Sequence, residues 1–154
     1  MYLNDLSSAA AITSPNGKRP LAILLAEDNR VVAEMFGDAL RVAGHDVLIA
    51  RDGEKAVELA TRYPVDLILL DIGLPKCDGL DVLRIIRGRR ETARTPVIIF
   101  SNSTDPAVIR ACRDLGIQGY ALKSAITPGE LCARLPAWAM QQPARYDHPV
   151  APDG

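Results

Sequence analysis

Apolar residues gather in five short runs separated by longer stretches of mixed character. Leu21-Ala22-Ile23-Leu24-Leu25-Ala26, Val47 to Ala50, Val65 to Leu70 with only Asp66 interrupting, Val97-Ile98-Ile99-Phe100, and Ile117 to Leu122 read as strands. Runs without polar alternation mark strands covered on both faces, as in parallel sheets. Between them, apolar positions recur at helical spacing. Asn29 to Ala43 places Val32, Met35, Phe36, Ala39 and Val42 on one face and stops at Gly44. Asp52-Gly53 opens a second helix whose Ala56, Leu59, Ala60 and Tyr63 share a face, and Pro64 ends it. Asp78 to Arg90 turns Leu80, Leu83 and Ile86 inward. Asp105-Pro106 is a cap with a first-turn proline before the stripe Val108, Cys112 and Leu115, closed by Gly116. Thr127-Pro128-Gly129-Glu130 has capping-box spacing and starts a last helix with Leu131, Leu135 and Trp138 inward. Pro136 falls inside that pattern and should end or bend the helix near Leu135, leaving Trp138 on a separate turn. Strand alternating with helix predicts an α/β fold: a doubly wound, five-stranded parallel sheet with right-handed crossovers and helices on both faces.

The length of 154 residues and a net charge of −1 fit one domain, expected over residues 21–142. Residues 1–20 and the proline-rich 143–154 read as flexible extensions. With no Lys/Arg block, direct binding to nucleic acid or membrane is not expected. The basic cluster from Arg84 to Arg94 reads as a solvated helix face. Cys77, Cys112 and Cys132 are odd in number and lack metal or disulfide spacing, which suits reduced thiols in a cytoplasmic protein. No signal or membrane-spanning pattern is present. His45 and His148 read as surface residues without partners, and Met35 and Trp138 as core.

The chemistry lies where the runs end. The third run delivers Asp71, and the first ends in the adjacent acids Glu27 and Asp28. In open parallel sheets the ligand site lies beyond the carboxyl ends of the strands. If the two strands are neighbours, three carboxylates converge, and their repulsion calls for a cation. A hard ion such as Mg2+, which takes oxygen ligands and pairs with phosphate, is the natural partner. Ser101 and Lys123 stand at the ends of the fourth and fifth runs.

Together these residues resemble the receiver domain of two-component response regulators. The likeness runs from about Leu21 to Trp138 and rests on LLAEDN, LILLDIGLPKCDG, IIFSNS and GYALKS. It implies a flavodoxin-like receiver fold with strand order 2-1-3-4-5, which sets the third strand beside the first. It further implies that Asp71 takes a phosphoryl group from a sensor histidine kinase or phosphotransfer protein, and that Glu27, Asp28, Asp71 and the Gly73 carbonyl hold Mg2+. Lys123 and Ser101 would contact phosphoryl oxygens, and Ser101 and Tyr120 would form the switch. Output would pass through helix four, strand five and helix five to a downstream protein target or a second copy of the chain. No turnover enzyme is expected, only the chain's own phosphorylation and dephosphorylation.

Two departures matter. The family usually has Lys-Pro after the fifth strand; here Lys123 is followed by Ser124, whose peptide bond should be trans. Too few residues follow Gln142 for a helix-turn-helix module, so a stand-alone regulator or phosphorelay shuttle is expected. The alternative within signalling is a degenerate receiver that binds partners without phosphorylation. A nucleotide enzyme is disfavoured because no GxGxxG or P-loop pattern follows any strand.

Overall fold

The computed structural model describes residues 19–141. Five strands, β1 (Ala22–Ala26), β2 (Asp46–Ala50), β3 (Leu67–Leu70), β4 (Val97–Ser101) and β5 (Gly119–Leu122), alternate with five helices. The helices are α1 (Arg30–Val42), α2 (Gly53–Arg62), α3 (Gly79–Gly88), α4 (Pro106–Asp114) and α5 (Pro128–Met140). The strands form one parallel sheet in the order β2-β1-β3-β4-β5. None of these helices is long and apolar enough to cross a membrane.

Successive strand residues point to opposite faces, so the sheet divides its apolar side chains between two cores. Leu24, Ile68, Leu70, Val97 and Ile99 pack with Ala56 and Leu59 of α2, Val82, Leu83 and Ile86 of α3, and Cys112 of α4. Ile23, Leu25, Leu67, Leu69, Ile98 and Phe100 pack with Phe36 and Leu40 of α1 and Leu131, Leu135 and Trp138 of α5. Phe36 meets Phe100 edge-on, with ring centroids 4.7 Å apart. The register aligns Ala26 with Leu70, Leu70 with Ile99, and Ser101 with Leu122. The carboxyl ends of β1, β3, β4 and β5 therefore open onto one edge.

Several sequence expectations are corrected. The buried face of α1 is Ala33, Phe36, Gly37 and Leu40, while Met35 is about half exposed and Val42 lies in solvent. The helix carries apolar residues on more than one face, and small residues decide which face seats on the sheet: a Cβ at Gly37 would lie 3.3 Å from Ile49 Cδ1. Tyr63 is exposed because α2 ends at Arg62 and Tyr63 is its extended C-cap. Pro136 neither ends α5 nor detaches Trp138, which is buried on the same continuous helix as Leu131 and Leu135. A helix-interior proline costs about 3 kcal/mol, less than the roughly 1.5–3 kcal/mol per side chain gained by burying these three.

The Arg84–Arg94 cluster is not one solvated helix face. α3 ends at Gly88, and Arg87 is fully buried. Its guanidinium donates to the carbonyls of Thr95 at 2.7 Å, Leu115 at 3.0 Å and Gly116 at 3.0 Å. His45 is half-buried and has a partner: its Nδ1 accepts the Leu21 N–H at 3.0 Å. His148 lies outside the described residues. The three cysteines are free, and burial pushes the Cys112 thiol up to about 11.

Candidate functional site

Backbone pairing builds the site. The Asp71 N–H donates to the Ala26 carbonyl at 3.1 Å and the Glu27 N–H to the Ala50 carbonyl at 2.9 Å, so the ladder continues one residue beyond each strand and sets the two acids side by side. Asp28 follows at the surface, and Asn29 caps α1 by accepting the Val32 N–H. Carboxylate oxygens of Glu27, Asp28 and Asp71 all lie within 4.8 Å of one another.

Lys123 reaches this cluster from the end of β5. Its Nζ donates to Asp71 Oδ2 at 2.7 Å and forms an ion pair with Glu27. Both acids are buried and the lysine nearly so. Burial raises the Glu27 carboxyl above its ordinary range and the Asp71 charge adds to this, against the opposing pull of Lys123. For Lys123, burial favours the neutral amine, but Asp71 and then Glu27 outweigh it and the ammonium is held above its usual value. One lysine against three carboxylates leaves a surplus of negative charge among oxygen donors. That set fits a hard divalent cation and offers no soft ligand.

Ser101 is buried at the end of β4, and its carbonyl accepts the Lys123 N–H at 3.2 Å. Its Oγ accepts the Ser103 N–H at 3.3 Å. Tyr120 is half-buried and its hydroxyl donates to the Ser103 carbonyl at 2.8 Å; burial raises its pKa. Gly73 is exposed, with its N–H turned to Asp71 Oδ1 at 3.2 Å. The structure thus brings Glu27, Asp28, Asp71 and Lys123 into one cluster and links Ser101 and Tyr120 through the loop after β4.

Sequence reasoning missed three supports. Asn102 Oδ1 accepts the Ser124 N–H at 2.9 Å, tying the loop after β5 to the loop after β4. The Lys123–Ser124 peptide is trans, as expected from the sequence. Gly79 lets α3 start against the acceptor strand, since a Cβ there would stand 2.2 Å from the Asp71 carbonyl oxygen. Gly53 does the same for the loop after β3: its N–H donates to the Pro75 carbonyl at 3.1 Å, and a Cβ would stand 1.8 Å from the Cys77 oxygen. A signal for the two glycines existed, because each follows an Asp N-cap; none existed for Asn102.

Residues 23–136 match the family model of the response regulator receiver domain. The polar-differentiation response regulator DivK of Brucella anthropi is 29% identical over 109 residues, which is 71% of this chain and 89% of that protein. The transcriptional regulatory protein CpxR of Escherichia coli is 33% identical over 126 residues, 78% of this chain and 52% of its own length. The chain spans about half the length, or less, of several curated relatives that it matches. Among solved structures, the receiver domain of the sensor histidine kinase PA1611 from Pseudomonas aeruginosa, which carries a magnesium ion in its active-site cleft, superposes with a TM-score of 0.72. It is 32% identical and the match covers 79% of this chain and 99% of that one.

Proposed function

The chain belongs to the response regulator receiver domain family, and from that premise we propose that Asp71 accepts a phosphoryl group from a phosphohistidine on a histidine kinase or phosphotransfer protein. The observation that carries this reading is Lys123 Nζ on Asp71 Oδ2 at 2.7 Å, inside a cluster of three carboxylates within 4.8 Å. An Asp71 carboxylate oxygen bonds to phosphorus as the P–N bond breaks, and the electron pair leaves on the imidazole nitrogen of the donor. Held by Glu27, Asp28, Asp71 and the Gly73 carbonyl, Mg2+ would offset the negative charge of the phosphoryl oxygens.

The chain's own groups do the positioning. Lys123 already lies on Asp71 and supplies a compact positive charge to one phosphoryl oxygen. The Ser101 hydroxyl donates to another. Drawing Ser101 toward the phosphoryl group pulls on Ser103, whose N–H and carbonyl bind Ser101 and Tyr120 respectively. The modification thereby reaches α4, β5 and α5, the surface we assign to a downstream protein target or a second copy of the chain. This reading places the protein in the cytoplasm as a signalling module.

Acetyl phosphate with Mg2+ tests it. Intact-mass spectrometry should show one added phosphoryl group, absent in Asp71→Asn. A chain that stays unlabelled while correctly folded would favour a receiver that binds partners without phosphorylation.

A further inference from the structure

Residues 84–114 carry seven arginines and three acids, a surplus of four positive charges in a chain whose net charge is −1. The rest of the described chain treats its cations differently. Between residues 19 and 83, five of seven basic side chains (Arg30, Arg41, Lys55, Arg62 and Lys76) are in ion pairs. In the 84–114 stretch Arg84 pairs with Asp81, but Arg89, Arg90, Arg94, Arg110 and Arg113 are exposed and make no ion pair among the described residues.

Buried Arg87 gathers them. One guanidinium donates to the Ala93 and Thr95 carbonyls in the loop between α3 and β4, and to the Leu115 and Gly116 carbonyls just beyond α4. The Thr92 hydroxyl adds a bond to the Ile86 carbonyl at 2.7 Å. The loop bearing Arg89, Arg90 and Arg94 is thus fixed beside the end of α4 that bears Arg113. Along the same helix Pro106, Ile109, Arg110 and Arg113 line a depression of about 350 Å³. Its lining is half apolar and half basic. Five exposed guanidiniums on these two neighbouring segments give this part of the surface an excess of positive charge, which an anionic partner offsets.

We propose that this end of the domain, the α3–β4 loop with the outer face of α4, docks an acidic protein segment that carries an apolar anchor side chain. The guanidiniums supply forked donors for carboxylates, and the depression over Ile109 takes the anchor. Because Arg87 pins the loop beforehand, little ordering is left for binding to supply. Nucleic acid fits less well: Glu91 and Asp114 stand among the arginines and would repel a continuous phosphodiester backbone, and the chain as a whole is slightly acidic. The α3–β4 loop lies beyond the amino end of β4, opposite the edge that holds Asp71, and the surface shares α4 with the output face assigned above.

The test is fluorescence anisotropy of a labelled peptide of glutamates flanking one leucine, titrated with the full chain at low ionic strength. Saturable binding is expected, weakened about tenfold or more by R89E/R90E/R94E and by R110E/R113E. Ile109→Asp should weaken it too, whereas Arg62→Glu, a single charge reversal on α2, should alter it less than about twofold. The altered residues other than Ile109 are exposed, and melting curves confirm that each variant is folded. No saturable binding overturns the proposal, as does equal weakening by Arg62→Glu. So does tighter binding of a single-stranded oligonucleotide or of phosphatidylglycerol vesicles at matched charge.

Discussion

The Ser124 N–H donates to Asn102 Oδ1 at 2.9 Å, so the residue after the site lysine is tied to the residue after the site serine. A proline following Lys123 would have no N–H to give. The bond therefore belongs to the Lys-Ser version of this loop, and it holds the backbone from which Lys123 extends to Asp71.

Removing Asn102 should slow phosphorylation without unfolding the domain. Both groups are exposed, so Asn102→Ala costs little stability, about 1 kcal/mol or less. A lysine aimed less well should lower the initial rate of labelling by acetyl phosphate roughly three- to tenfold. Intact-mass time courses measure the rate, and an unchanged rate would show that Lys123 is aimed by other contacts.

Charge crowding around Asp71 gives a second expectation. Asp28→Asn removes one of three carboxylates within 4.8 Å, so the domain without metal should be as stable or slightly more stable, by about 0.5–1 kcal/mol. The same variant should bind Mg2+ weakly and label slowly, because one oxygen ligand has lost its charge. Removing divalent ions with EDTA should stop labelling of the unmodified chain. Labelling that proceeds at full rate in EDTA would sink the metal-dependent reading.

The strands and the strand-end acids were legible because a parallel sheet forces both faces of each strand to be apolar and ends each run at the same edge. Glu27, Asp71, Ser101 and Lys123 could be read from position alone. What could not be read depended on long-range contact. Arg87 looks like its exposed neighbours until α4 is folded beside α3, when several helix-end and loop carbonyls converge on it. The face of α1 was misread because Met35 and Val42 keep the helical period as well as Ala33 and Leu40 do. Pro136 carries a local penalty that only the packing of Trp138 on the sheet could show to be outweighed.

Arg87 should therefore be a stability residue despite sitting in a basic run. Arg87→Met fills similar volume but leaves several main-chain carbonyls without a donor, and a loss of about 3–5 kcal/mol is expected. Arg87→Lys should recover only part of this, since an ammonium cannot span both loops. Urea unfolding measures both. A loss below about 1 kcal/mol for the methionine variant would show that water replaces the guanidinium at little cost.

His45 should make stability depend on pH near neutrality. Its Nδ1 accepts the Leu21 N–H, so the neutral ring fits and a protonated ring would set N–H against N–H. Burial lowers its pKa below the ordinary value, with Asp46 opposing. The unfolded chain then takes up this proton at a higher pH than the folded one. Stability from His45 is complete above about pH 6.5 and is lost as pH falls through the folded value, at no more than about 1.4 kcal/mol per pH unit. Other groups add to the pH dependence, Glu27 with its carboxyl raised by burial among them, so the measurement is a difference between two proteins. In a His148→Gln background, melting between pH 7.5 and 5.5 should show a steeper loss with His45 present than with His45→Gln, whose amide oxygen can still accept the Leu21 N–H. Parallel curves would mean that His45 titrates alike in the folded and unfolded chains and that its bond to Leu21 carries no pH dependence.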